Sequence, residues 1–165
     1  MSRAFVREPD AETPPEPLAE IPLPPPPNPV TRRGLALIEA MVSALGERLA
    51  RVPPEEQAET AELRRRLRYW TARRATAQLT APPSDPEEVG FGSRVKLAWP
   101  GRGEVSLEIV GEDESDPSAG KVSWRAPTAA ALIGNGKGDS VDAPISSPIG
   151  GKTRPLRILA VDNRG

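Results

Sequence analysis

The sequence predicts an α+β protein: an N-terminal antiparallel helical hairpin followed by a C-terminal antiparallel β-sheet domain with one short helix. Three observations predict it. Apolar residues recur at alternating spacings of four and three from Ile38 to Trp70, the pattern of a coiled-coil seam. Two prolines, Pro53 and Pro54, cut that pattern in its middle. Further on the period drops to two: "RVKLAW", "EVSLEIVG" and "KVSWRA" alternate apolar and polar residues, as half-buried antiparallel strands do.

Residues 1–30 are dominated by Pro, Glu and Ala and end in "IPLPPPPNPV". Proline fixes φ and removes an amide donor, so this stretch is expected to be a disordered tail with polyproline II character. A tether, or a ligand for a proline-binding groove, is the alternative reading. Within it, Phe5 and Val6 lie between arginines in "SRAFVRE" and offer an apolar contact.

Residues 31–81 are expected to form the hairpin. Thr31 is placed as the N-cap of a helix whose seam runs through Ile38, Val42, Leu45, Leu49 and Val52. The prolines stop it, and a second helix from Pro54 continues the spacing through Leu63, Leu67 and Trp70 before weakening at Ala77. So short a connection forces the helices antiparallel, each about 30 Å long.

Residues 82–88 are read as a linker and 89–165 as the β-rich domain. "GRG" is placed as a tight turn and "GEDESDPSAG" as a solvated acidic loop. Glu112, Asp113, Glu114 and Asp116 lack the spacing and central glycine of an EF-hand loop, and Pro117 interrupts them. Pro127 near a first helical position and Gly134 just past a last one mark a short helix. "DSVDAPI" and "PLRILAVD" supply the final strands, joined by the turn "SSPIGGKTR".

Composition narrows the chemistry. The 165 residues include no cysteine and no histidine, which removes disulfides, thiol chemistry, the usual Zn²⁺ ligands and Ser/His/Asp catalysis. Carboxylates are left as metal ligands, which suits Mg²⁺ or Ca²⁺. With 21 prolines and 37% hydrophobic residues, a packed core must be confined to part of the chain. A net charge of −1 gives no global attraction to polyanions. No apolar run approaches a membrane span, and a cytoplasmic location is expected.

The order of motifs resembles the Gre transcript-cleavage factor family. It runs from a hairpin opened by "TRRG" through "VGFGSRVKL", "EIVGEDESDP" and "KVSWRAPTAAALIG" to "GGKTRPLRILAV". The resemblance spans Val30 to Asp162 and is densest from Val89 to Leu132. It implies a coiled-coil finger carried by a domain of FK506-binding-protein-like (FKBP-like) fold, gripping the rim of bacterial RNA polymerase's secondary channel. It further implies a monomeric transcription elongation factor without a membrane partner, meeting nucleic acid only within the elongation complex. Such a factor is not an enzyme and has no cofactor of its own. The family's acidic finger tip helps hold a Mg²⁺ shared with the polymerase, whose active site then hydrolyses backtracked RNA by two-metal chemistry.

The tip here departs from the family's Asp–Glu pattern, close to "GDLKEN". The matching stretch is "VPPEEQAE", with candidate carboxylates Glu55, Glu56 and Glu59 and a Pro-Pro bend. Glu56 and Glu59 would share one helix face. The simpler reading, which the sequence favours, is that Glu55 and Glu56 sit in the first turn of a helix, where negative charge complements the exposed amides and needs no metal. The finger is also about ten residues shorter per arm than is usual in the family, or roughly 15 Å of reach. This resembles the polymerase-binding nucleoside diphosphate kinase regulator branch. Weak or absent stimulation of cleavage is therefore expected.

Two patches are candidate partner contacts. Arg64, Arg65, Arg68 and Arg73, with Arg66 and Arg74, are placed against RNA phosphates or acidic polymerase surfaces, or else form a solvated face balanced by Glu39, Glu47 and Glu62. In "SWRAP", Trp124, Arg125 and Pro127 occupy the family's polymerase-facing Asp/Asn-Ser-Pro segment; Arg125 and Ala126 depart from it, and Ala126 forfeits a helix cap. Two other functions compete: a peptidyl-prolyl isomerase, for which Trp99, Trp124 and Phe91 would have to line a proline pocket, and a plain coiled-coil interaction protein.

Overall fold

The computed structural model describes residues 18–144 and 153–164. Phe5, Val6 and most of the expected 146–154 turn lie outside the described residues.

A short strand β1 (Asn28–Val30) leads into helix α1 (Arg32–Leu49); helix α2 (Gln57–Thr76) runs into strand β2 (Ala77–Leu79). Thr31 caps α1 as its sequence position requires, its Oγ1 accepting from the Gly34 amide at 2.9 Å. Ile38 and Leu45 on α1 and Leu63 on α2 are buried, while Val42, Leu49, Leu67 and Trp70 are half-buried. Each such side chain, once buried, contributes roughly 1.5–3 kcal/mol, so the seam rather than intrinsic propensity holds the pair together.

Both ends of the second helix differ from expectation. The turn before α2 uses its own amides: Glu56 N–H donates to Pro53 O at 3.0 Å and Gln57 N–H to Glu55 O at 2.9 Å. Helix therefore begins at Gln57, and Glu55 and Glu56 precede it instead of filling its first turn. At the far end α2 stops at Thr76, because the chain from Ala77 pairs in parallel with β1.

That pairing also corrects the expected tail. Residues 28–30 form a strand in register with 77–79, and Asn28 and Val30 are buried. Asn28 Nδ2 donates to Arg73 O at 2.9 Å and to Thr76 Oγ1 at 3.1 Å, fixing the chain to the end of α2. Pro29 fits because a two-stranded edge does not need its missing donor. The expected linker is likewise tied down. Asn163 Nδ2 donates to Asp85 O at 2.6 Å and Glu88 O at 2.9 Å, and Pro83 covers Gly90 so closely that a Cβ there would clash with its ring.

The rest is a five-stranded sheet of β3 (Arg94–Trp99), β4 (Gly103–Val110), β5 (Lys121–Ser123), β6 (Ser140–Pro144) and β7 (Thr153–Asp162), in the order β5-β4-β3-β7-β6. The β3–β4 turn has Gly101 at φ 82° and Gly103 at φ 77°, conformations that favour glycine. Inward positions of the alternating strands, among them Val95, Leu97, Leu107, Ile109, Leu156 and Ile158, pack with Ala129 and Leu132 of the short helix α3 (Pro127–Leu132). The sheet is mixed rather than wholly antiparallel. β5 runs parallel to β4, with Glu108 opposite Lys121, because two 3₁₀ turns at 112–114 and 117–119 carry the chain back before it pairs.

Candidate functional site

The α1–α2 connection lies far from the sheet. α1 starts and α2 ends against the 112–114 turn, so residues 50–56 sit about 27 Å away, at 1.5 Å for each of the 18 residues of α1. Glu55 and Glu56 are exposed there, and Glu56 makes no capping bond. Glu59 does not point the same way chemically: it accepts from Arg48 Nε at 2.8 Å and Nη2 at 2.6 Å, a bridge across the helical pair. A hollow of about 540 Å³ at this end is lined by Leu49, Val52, Pro54, Gln57, Thr60, Ala61 and Arg64. Its one ionic side chain is a guanidinium. Among the described residues no three acidic, His or Cys side chains gather as metal ligands. The tip does not fit a divalent cation by itself, since Mg²⁺ needs converging oxygens near 2 Å.

At the other end the expected solvated loop proves to be the junction between helices and sheet. Glu114 is 5% exposed; it accepts from Thr31 Oγ1 at 2.6 Å and Arg33 Nε at 2.5 Å. Arg33 also reaches Glu108 at 2.7 Å. Asp113 accepts from Arg73 Nε at 2.6 Å and from the Tyr69 hydroxyl at 2.9 Å, and Glu112 accepts from Arg73 at 3.2 Å. Burial and then the Asp113 bond push the Tyr69 hydroxyl up to about 12. Close packing completes the joint: a Cβ on Gly34 would lie 2.9 Å from Glu114 Oε2, and one on Gly111 2.9 Å from Pro29 O. Of this acidic run only Asp116 is spent locally, capping the next turn through Ser118.

The candidate arginines separate accordingly. Arg73 is corrected: with 2% of its side chain exposed it cannot meet RNA or a partner, because it neutralises the junction carboxylates. Arg65 binds Glu62 in the adjoining turn at 2.8 Å and Ala19 O at 3.1 Å, and Arg68 binds Glu20 at 2.5 Å. Arg64 and Arg74 are exposed. Sequence reasoning missed Glu20, Asn28, Tyr69 and Arg33, each acting across 40 or more positions of chain. Arg33 alone had an advance signal, the opposite charge of "RRG" and "EDE".

In the "SWRAP" stretch, Trp124 is half-buried against the core, its Nε1 enclosed without an acceptor. Arg125 lies over its ring at 4.5 Å, binds Glu112 at 2.8 Å, and donates to Pro25 O at 2.5 Å and Pro27 O at 3.2 Å. Pro127 opens α3, and Ala126 supplies no side-chain cap. A groove of about 720 Å³ beside it is lined by Trp99, Val105, Val122, Ala126, Pro127 and others, but not by Trp124 or Phe91. The three aromatics expected of a proline pocket do not converge. No helix among the described residues is long and apolar enough to cross a membrane.

Residues 83–163 match the protein family described as transcription elongation factor, GreA/GreB, C-terminal. The chain is 34% identical over 134 residues to the transcription elongation factor GreA of a Nitratiruptor species, covering 69% of this chain and 82% of that one. It is 47% identical over 73 residues to GreA of Beijerinckia indica, covering 44% of this chain and 45% of that relative, so it spans about half the length of the latter. Among solved structures, the GreA/GreB factor from Nitrosomonas europaea is 24% identical, with 84% of this chain and 99% of that chain covered and a TM-score of 0.40.

Proposed function

Because this chain belongs to the GreA/GreB family of transcription elongation factors, which are not enzymes in their own right, we propose that it binds RNA polymerase at the secondary channel and modulates paused or backtracked complexes without strongly stimulating RNA cleavage. The sheet domain, read as FKBP-like, is the clamp, with Trp124, Arg125 and Pro127 toward the polymerase. The helical pair, read as a coiled coil, is the finger that enters the channel. It acts as a cytoplasmic monomer, carries no cofactor of its own, and meets nucleic acid only inside the elongation complex.

The observation that carries the cleavage half of this reading is the composition of the tip. A cation-holding tip needs free carboxylates aimed at one point; here Glu59 is committed to Arg48 and the hollow beside it presents Arg64. A guanidinium at that position opposes a Mg²⁺ instead of ligating it. No catalytic step is therefore routed through a metal at these residues. What remains is occupancy: a rigid helical rod that fills space in a channel and competes with whatever else enters it.

The test uses backtracked elongation complexes with end-labelled RNA. Binding to the complex with RNA length unchanged over minutes is expected. Robust shortening that disappears in the Glu56→Ala, Glu59→Ala double variant would overturn the cleavage half of the reading; absence of any binding to core polymerase would overturn the whole.

A further inference from the structure

Residues Leu18 to Pro27 form an extended strap that touches both halves of the molecule through arginine. Its Glu20 carboxylate takes Arg68, its Ala19 carbonyl takes Arg65, and its Pro25 and Pro27 carbonyls take Arg125. The Arg68 guanidinium holds the Glu20 carboxyl below the ordinary carboxylate range, against the opposing effect of desolvation. Of the strap's large apolar side chains, Leu18 is 48% exposed and Leu23 52% exposed, and Ile21 alone is half-buried, so apolar burial holds it at one point. Among the described residues its side-chain polar anchors are all to these guanidinium groups.

We infer that the face spanning Arg65, Arg68 and Arg125 is a docking surface for an extended acidic segment of a protein partner, and that residues 18–27 are its intramolecular stand-in. The strap's own chemistry identifies the class of partner. It offers one carboxylate and three backbone carbonyls, and the proline-rich chain leaves carbonyls open because it has few amides to pair them with. Guanidinium forks match carboxylates and planar carbonyl acceptors in this way. Three arginines on two different elements, α2 and the segment before α3, define a track longer than one ion pair, which a peptide can follow; Arg65 and Arg125 meet it with the nitrogens left over from Glu62 and Glu112, and Arg68 is the one whose carboxylate partner the strap itself supplies. The strap's one ion pair is weak. Its Arg68–Glu20 pair is 56% and 63% exposed, and such pairs are weak and screened by salt. This inference rests on the polymerase reading, since it makes Arg125 part of that partner's contact only when the strap has left.

The experiment keeps the full chain and substitutes Glu20→Lys, which sets like charges against Arg65 and Arg68 without touching a buried residue. Because the chain has no cysteine, Leu18→Cys carries a single spin label whose mobility reports strap release. The expected result is a mobile label together with roughly three- to tenfold tighter binding to core RNA polymerase, since a surface masked most of the time has its apparent affinity reduced by the unmasked fraction. Arg65→Glu with Arg68→Glu, which also frees the strap, should bind more weakly than the unaltered chain. A label that stays immobile in Glu20→Lys, or a released strap with unchanged or weaker binding, overturns the inference and leaves the polymerase reading standing. If Glu20→Lys instead raises affinity for a short single-stranded RNA as much as for polymerase, the partner class is wrong. If no variant binds polymerase at all, both readings fall.

Discussion

Replacing Arg73 by Ala is the sharpest test of the junction. The guanidinium is 2% exposed and sits between Asp113, 7% exposed at 2.6 Å, and Glu112, 18% exposed at 3.2 Å. Removing it leaves Asp113 without its counter-charge and Glu112 with Arg125 alone, and the Tyr69 hydroxyl is the one remaining donor to Asp113. Breaking a buried ion pair from one side costs about 3–5 kcal/mol, chiefly through the charge left behind. With a urea slope of roughly 2 kcal/mol/M, the midpoint should fall by about 2 M. Truncating Asp113 to Ala as well removes much of that stranded charge, so the double variant should be less destabilised than the two single costs added together. The coupling in the cycle should exceed about 1 kcal/mol. A loss below about 1 kcal/mol for Arg73→Ala, or strictly additive costs, would refute the claim that this ion pair joins helices to sheet.

Three further outcomes follow from neighbouring geometry. Arg48→Ala breaks only an exposed bridge to Glu59, 68% and 35% exposed, so its urea midpoint should move by no more than about 0.2–1 kcal/mol in stability. Gly34→Ala should destabilise by about 1 kcal/mol despite a better helix former, because the new Cβ meets Glu114 at 2.9 Å and that side chain is pinned by Thr31 and Arg33. For Tyr69, raised to about 12 from 10.0, the protonated form is favoured in the fold. Its contribution is fully present below about pH 10 and is lost as pH rises through about 12. Alkaline urea titrations should show a decline on the order of 1 kcal/mol across that window, after allowance for screening, which Tyr69→Phe abolishes.

The sequence made visible whatever depends on near neighbours. The N-cap at Thr31, the seam from Ile38 to Leu63, the alternation in Val95 and Leu97, and Pro127 at the head of α3 all follow from local spacing. The strand Asn28–Val30 was not legible, since its partner at 77–79 lies across the whole helical pair and its composition is that of a tail. Nor was the parallel sense of β5, which two 3₁₀ turns decide. The acidic turn at 112–114 was misjudged for a related reason. Three consecutive carboxylates lack local partners, and local reasoning sends such a run to solvent; the cations that bury it come from positions 33, 73 and 125.

The same residue types thus do opposite things at the two ends of the helical pair, and pairing accounts for the difference. At the base, every carboxylate of the 112–114 turn has a guanidinium within 3.2 Å, so charge can be withdrawn from water and used to set how the helices stand on the sheet. At the tip, Glu55 and Glu56 keep their hydration, and Glu59 is held by Arg48 in a surface bridge worth little. A carboxylate that is to ligate a cation must be free, aimed and accompanied by others; the tip meets the first condition at two residues and the last at none. Arginine is distributed by the same logic, committed at the base by Arg33, Arg73 and Arg125, held on the helix surface by Glu62 at Arg65 and by Glu20 at Arg68, and exposed at Arg64. Arg68 is the cation that can change partners at least cost, because its carboxylate partner is the exposed Glu20.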